Sequence, residues 1–465
     1  MLAIVVAAAG ALSAPAGAVA APPDPAEAAS LGKQAYEYGF PLVDEMRIRK
    51  EMTSVPCPDS RGNAPVNSFS HAKSFATAAD TTVVLPNTDT LYSIAHLDLK
   101  KGPITLSHPD MGKRYFSFEM LDPWTNVIAI PGKREDGPDA ASYVIRWNGS
   151  KGNADFEKPK GAEVIKSKYR RVWMVGRTLA TDSKRDQKQA HKKMRRYTLA
   201  LPNGKPRRFD EDCKAGKPTK YPNPTTGSGF VEKLNAEMAK NPPPKRDDPF
   251  LAEMATVGVG AGLSPEDAGL TPDALAAFYG GVEAKMASLH NDTRLWAYTN
   301  ALKTAGWFLA PPTIGNFGTD YVLRAMVAEA GIGANTPNEA IYPVAIADAK
   351  GQLFSGANDY RLTFDADDLP PARFFWSVTM YDTEGFLVPN DADVYSVGPS
   401  HGDLKTKPDG SVVIVASQTE PTEKDVNWLP APATGFRLNM RLYGPSKAAQ
   451  TGEWMPPGVE KVPPA

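Results

Sequence analysis

Two stretches in the last third of this chain alternate apolar and polar residues with a period of two, and they constrain its fold more than any other feature. FFWSVTMYD (374–382) sets Phe374, Trp376, Val378 and Met380 against Phe375, Ser377, Thr379 and Tyr381. GFRLNMRLYGP (435–445) sets Phe436, Leu438, Met440 and Leu442 against Arg437, Asn439, Arg441 and Tyr443. Side chains on a strand point alternately to opposite faces, so each stretch offers one apolar face and one polar face. That is the signature of an antiparallel sheet with one face on a core. Asp409-Gly410 adds a hairpin signal between them.

Strand character recurs upstream. VVLP, LYSIAHLDL, RYFSFEMLD and NVIAIPG, all within 81–150, are short runs bounded by Pro, Gly, Asn or Asp, and 143–147 and 171–176 continue the pattern. The chain carries 43 Pro and 38 Gly, and breakers spread this widely favour short strands and turns over long helices. Helical text is confined. Leu31, Ala35, Tyr38, Leu42 and Met46 recur at helical intervals with Pro41 as a kink, and 183–196 reads as a basic, solvated helix. Residues 229–240 look helical. Thr271-Pro272-Asp273 caps a helix running to about His290, and another opens at Thr319, with Val322, Ala325, Met326 and Ala330 as its apolar stripe.

At 465 residues the chain is long enough for two or three domains. The reading is an amino-terminal β-rich domain over 31–240, a Pro-rich linker and helical segment over 241–340 containing NPPPKRDDP, and a carboxy-terminal β-sandwich over 341–460. The expected class is mostly β with helical additions (α+β): two antiparallel β-sandwich-like domains joined by a helical linker region.

Residues 2–20 are apolar and end in Ala18-Val19-Ala20, the small-residue pattern of a signal peptidase site, although a positive n-region is missing. A periplasmic or secreted protein is therefore expected, with no integral membrane segment once the signal is cleaved, since no other stretch is long and apolar enough to span a bilayer. Cys57 and Cys213 could pair in an oxidising compartment or stand as two separate thiols; two cysteines give no spacing to decide it. The formal net charge of −1 provides no field for nucleic acid, and the basic helix lacks interleaved aromatics.

Several chemistries find no motif. The histidines at 71, 96, 108, 191, 290 and 401 show no ligand spacing, so no metal is expected; no phosphate loop or dinucleotide fingerprint is visible, so no cofactor is expected. Asp365, Asp367 and Asp368 lack the Gly and distal Glu of a calcium loop. Gly398-Pro399-Ser400-His401-Gly402 matches a nucleophile elbow in letters, but a turn and a strand follow it where a helix is needed, so it reads as a surface loop.

The informative clusters are polar residues inside strands. NTDTLYS (87–93) packs Asn87, Asp89 and Tyr92 together, and RYFSFEMLDPWTN (114–126) places Tyr115, Ser117 and Glu119 on one face with Phe116, Phe118 and Met120 on the other. A carboxylate buried on such a face needs partners, and its pKa can move into a catalytic range. Glu119, Asp89, Tyr92, Tyr115 and Arg114 are the candidate catalytic group, with Arg114 joining only from the strand end. Read as structure, Glu119 pairs with Arg114 or Arg146. Asn87, Trp124, Trp376, Tyr381, Asn427, Trp428 and Arg441 are the candidate binding residues, because aromatics with amides and one Arg suit a small organic or amphiphilic ligand.

These residues resemble a known bacterial family that pairs domain of unknown function 1254 with domain of unknown function 1214. VVLPNTDTLYSIAHLDLKKGPITLSHP, RYFSFEMLDPWTN and VGRTL carry the first likeness; IGANTPNEAIYPVAIADAKGQLFSGANDYRLTF, PPARFFWSVTMYD, DGSVVIV, NWLPAP, FRLNMRLYGP and EWMPP carry the second. The resemblance covers about 31–460 and implies two β-sandwich-like domains with helical additions, and an export signal; it implies little about activity.

Two classes of function stay open. One is a cofactor-independent enzyme of hydrolase, lyase or isomerase type on a small organic or lipid-like substrate. The other is a non-catalytic binding or envelope interaction protein; either is compatible with a homo-oligomer. The first of the testable expectations concerns export. Mature protein should begin at or near Ala21, and amino-terminal sequencing of exported material that started at Met1 would refute it.

Overall fold

A computed structural model describes residues 22–81, 84–150, 156–210 and 212–463. The signal segment, with its expected cleavage point, lies outside the described residues. The protein is α+β: two pairs of packed sheets and a helical layer.

The amino-terminal half builds its inner sheet around Arg171–Leu179, with Thr90–Asp98 on one side and Phe116–Leu121 on the other. Ser70–His71 and Val127–Ala129 complete the edges. A second sheet runs Glu163–Ser167, Ala141–Trp147, Ile104–His108, Thr198–Ala200. Phe116, Phe118 and Met120 enter the core between these two sheets, meeting Leu106, Ile145 and Met174, as alternation predicts. The carboxy-terminal half repeats the plan. Phe436–Pro445 and Ala372–Asp382 pair at the centre of the inner sheet, and Asn427–Pro430, Val412–Ser417, Asp359–Phe364 and Glu460–Val462 form the outer one. Trp376, Val378, Leu438, Met440 and Leu442 fill the space between.

The sheets are antiparallel in the main, as expected, with one exception in each half. Each outer sheet contains one parallel pair, Ala141–Trp147 with Glu163–Ser167 and Val412–Ser417 with Asn427–Pro430.

The helices form a wall rather than a tether. Pro25–Met52 starts at Asp24, whose carboxylate accepts the Glu27 N–H, and runs on through the buried Pro41. Pro272–Ala301 starts at Thr271, whose hydroxyl accepts the Ala274 N–H, and extends well past His290. The two pack so closely that a Cβ on Gly32 would strike the Phe278 carbonyl, and one on Gly281 the Ala29 carbonyl. Tyr321–Gly331 is capped by Asp320, not Thr319. Its buried face is Leu323, Arg324, Ala325 and Ala328, whereas Val322 is exposed, so the expected stripe is one position out of phase. Asp247, inside the Pro-rich stretch, is buried and accepts the hydroxyls of Tyr38 and Tyr321, which docks that stretch onto the helices.

Cys57 and Cys213 are joined as a disulfide with Cα atoms 6.1 Å apart, which settles the choice left open by their spacing. The basic helix Lys184–Met194 buries only Ala190 and Met194, as a solvated helix should.

Trp376 packs its ring 5.5 Å from that of Phe364 inside the carboxy-terminal core. Trp376→Ala should destabilise the protein by ~3–5 kcal/mol through the cavity it leaves. A chemical denaturation midpoint unchanged from wild type would show that the residue does not carry this core.

Candidate functional site

The inner sheets of the two halves face each other with their polar sides. Directly opposed residues of an antiparallel pair share a face, so Tyr92, Arg177 and Ser117 stand in one row across the first sheet, with Ile94, Val175 and Glu119 in the next. On the other sheet Arg437, Asn439 and Arg441 share a face with Tyr381, Thr379 and Ser377. A cleft of about 2080 Å³ opens at this junction. Its walls include Tyr92, Trp173 and Arg177 from one half and Val344, Asn439 and Arg441 from the other; Met52 and Met326 come from the helices.

Arg177 is the hub of the floor. Its guanidinium donates to Glu119 Oε2 at 2.6 Å, to Asn335 Oδ1 at 3.2 Å and to the Gly333 carbonyl at 3.0 Å, and lies 5.6 Å from the Tyr92 ring. Asn335 in turn donates to the Tyr342 hydroxyl at 2.7 Å. Burial pushes the Glu119 carboxyl up and Arg177 pulls it back, leaving it above its ordinary value. Its Oε1 has no hydrogen-bond partner.

Beside this pair, the Tyr115 hydroxyl donates to Glu339 Oε1 at 2.5 Å, and Arg134 Nε donates to Glu339 Oε2 at 2.6 Å. Arg441 donates to Thr379 Oγ1 at 2.9 Å, to the Tyr381 hydroxyl at 2.7 Å and to the Leu85 carbonyl at 3.1 Å. Asn87 donates to the Tyr443 hydroxyl at 2.8 Å, stitching the halves together.

Asp89 links the halves through two side chains. It is fully buried, accepts the Ser377 hydroxyl at 2.8 Å and faces His401 Nε2 at 2.8 Å, while His401 Nδ1 faces Asp182 at 2.8 Å. With a carboxylate against each ring nitrogen, both nitrogens donate and the ring is an imidazolium. Burial opposes that charge, but the hydrogen bonds with Asp182 and Asp89 outweigh it and raise the His401 pKa to about 9. Burial would raise the Asp89 carboxyl, but the bond from His401 more than offsets it and holds it below its ordinary value.

The sequence expectations therefore divide. Tyr92 and Glu119 do meet, through Arg177, and Asn87, Tyr92 and Arg441 line the cleft. Tyr381 supports Arg441 from behind. Tyr115 belongs to the Glu339 pair, and Asp89 turns away to His401. Arg114 is elsewhere, clamped on Asp186 and the Leu179 carbonyl. The partner of Glu119 is neither Arg114 nor Arg146 but Arg177, because the Arg171–Leu179 strand pairs directly with the strand that carries Glu119, whereas Arg146 lies in the second sheet. Trp376 faces the core, and Trp124 sits among the helices with its indole N–H on the Asn241 carbonyl. Asn427 braces the Lys405 and Val413 carbonyls, and Trp428 donates to the Ser417 carbonyl, so neither reaches the cleft. Gly398–Gly402 is a turn, but not a surface loop: Ser400 and His401 are buried. The sequence alone does not single out Arg177, and it places His401 in a surface loop. Only Arg177 left a signal, as the one charge inside the apolar run VWMVGRTL.

Fold and site together define a two-sandwich α+β protein with a polar-floored cleft between its halves. Residues 66–200 match the family model described as a protein of unknown function, DUF1254, and residues 339–447 match DUF1214. The chain belongs to the two-domain family that pairs them. The VPA0106 protein from Vibrio parahaemolyticus has a similar solved structure, 25% identical, with TM-score 0.66 over 94% of this chain and 100% of that one. An uncharacterised protein from Burkholderia cenocepacia aligns over 95% of this chain and 96% of its own at 13% identity and TM-score 0.44. No curated protein matches.

The His401 clasp predicts a pH dependence. A raised folded-state pKa contributes stability that is complete below the unfolded value of 6.5 and is lost as pH rises through about 9. His401→Gln should cost roughly 1–3 kcal/mol near pH 6, since one pKa unit corresponds to about 1.4 kcal/mol. In urea unfolding the difference from wild type should shrink as pH rises from 6.5 to about 9 and be lost above that. A difference constant from pH 6 to pH 10 would sink the assignment of an imidazolium.

Proposed function

We propose that the cleft binds a small organic compound, and that the protein works in the cell envelope or outside the cell as a binding protein. The observation that carries this is one cavity of about 2080 Å³, apolar over most of its wall, above the ~300–1,000 Å³ usual for small-molecule sites. Binding is favoured over turnover because the titratable groups at the floor are engaged with one another. Glu119 is fully buried and bonded to Arg177, which itself lines the cleft. Glu339 is held by Tyr115 and Arg134. An acid–base role would require one of them to leave a buried partner, and stranding a buried charge costs about 3–5 kcal/mol.

Export is supported by the apolar lead ending in Ala18-Val19-Ala20 and by the Cys57–Cys213 disulfide, a bond that persists mainly in oxidising compartments. Among the described residues no helix is long and apolar enough to cross a membrane.

Protein purified without detergent from its own host should release a stoichiometric small compound on denaturation, detected by mass spectrometry. Val344→Trp, which fills the cleft, should remove that compound while the protein still folds. Equal loading of the variant and wild type would place the ligand elsewhere and overturn the proposal.

A further inference from the structure

The walls of the cleft carry an imbalance of charge that points to the class of ligand. Four of its carboxylates are paired with cations, Asp44 with Arg47, Glu51 with Arg47 and Lys220, Glu329 with His290, and Glu384 with Arg294, while Asp59 and Asp80 are held by backbone N–H groups and neutral side chains of their own loops. Arg177 is neutralised by Glu119. Apart from the exposed Arg61, two guanidiniums of the cleft are not matched in this way. Arg441 is almost fully buried and bonds only to neutral oxygens; Asp89, the acid whose charge it feels, is already bonded to His401 and Ser377. Arg437 makes no hydrogen bond or ion pair among the described residues and its Nε is buried without a partner; burial and the neighbouring Arg294 disfavour its charge, and the fields of Tyr381, Asp382 and Glu384 offset this only in part.

Between them stands Asn439, 3% exposed, with its Oδ1 unpartnered. The three residues are alternate members of the Phe436–Pro445 strand, so they form one row on the cleft face, spaced ~7 Å apart. Buried guanidiniums without an anion are expensive, and the amide of Asn439 can turn its N–H groups to an oxygen. Away from this row the wall also presents apolar side chains, among them Ile94, Trp173, Phe308, Ile314, Met326 and Val344.

Resting on the binding reading above, we infer that the ligand is a single-chain amphiphile whose anionic head, a carboxylate or an ester of an oxyacid, sits on Arg437, Asn439 and Arg441 and whose hydrocarbon lies along the apolar wall. The cations supply the attraction and the orientation. The apolar wall supplies the remaining affinity by taking hydrocarbon out of water.

Titration calorimetry below the micelle concentration, at low salt, tests this with dodecanoate, dodecan-1-ol, acetate and inorganic phosphate. Dodecanoate should bind at least tenfold tighter than dodecan-1-ol, and neither acetate nor phosphate should bind measurably. Arg437→Met should weaken dodecanoate about tenfold, and Arg437→Lys should recover part of that loss. Equal affinity for the acid and the alcohol would overturn the anionic head while leaving the cleft as a binding site. Tight binding of phosphate alone would overturn the hydrocarbon part. If neither long-chain probe bound, the amphiphile would be overturned, while the binding reading would stand or fall on the compound released from native protein. The wild-type ratio of acid to alcohol decides the matter even if the Arg437 variants do not fold.

Discussion

A buried carboxylate at the junction of the two halves is the constraint on which the rest depends. Asp89 sits at the start of a strand in the first sandwich, yet Ser377 and His401 of the second sandwich supply its side-chain hydrogen bonds. An ionised group in that position is tolerable only while both partners are in place, so the halves cannot separate or slide without exposing an unpaired charge. Asn87 to Tyr443, Thr88 to Ser396 and the Tyr381 hydroxyl to the Pro86 carbonyl reinforce the same short segment. Four consecutive residues, Pro86 to Asp89, thus fix how one sheet faces the other, and the cleft exists because they do.

That arrangement explains what the sequence disclosed and what it withheld. Period-two alternation gave the right inward faces for Phe116, Phe118, Met120, Trp376 and Leu438. It could say nothing about what lies against the opposite face. The default for an antiparallel sheet is water. Here the polar faces of two sheets look at each other, so Arg177, Ser377, Asn439 and Arg441 are buried although they occupy positions that alternation assigns to the outside. The same ignorance of strand order misdirected the search for a partner to Glu119. Arg114 and Arg146 were the arginines near Glu119 in sequence, while Arg177 is 58 residues away and one strand over. No local pattern encodes which strand lies between two others when the connections are long.

His401 shows a different limit. Its pentapeptide was judged against one template, failed it, and was assigned to the surface by default. Pro399 and two flanking glycines do make a tight turn, with Gly398 so close to the Trp376 carbonyl that a side chain would collide. But a tight turn is also a way to push one side chain deep into a neighbour, and this one delivers an imidazole between two acids. Charge on the ring is stable there only because both acids belong to the other half, so the information resides in tertiary contacts alone.

The helical layer closes the argument about rigidity. The cleft has two sheet walls, and the third is made by helices whose closest crossing is set by Gly32 and Gly281. A further stretch of wall, at 59–63 and 216–223, is irregular chain. Irregular chain beside a cavity has few backbone bonds to hold it in place. The Cys57–Cys213 disulfide lies next to both stretches and joins residues 156 apart, so it restrains a part of the boundary that secondary structure does not. Lys220 on Glu51 and the Thr219 N–H on Ser54 tie the same segment to the end of the first helix. Every side of the cleft is therefore anchored by a contact made between residues distant in sequence.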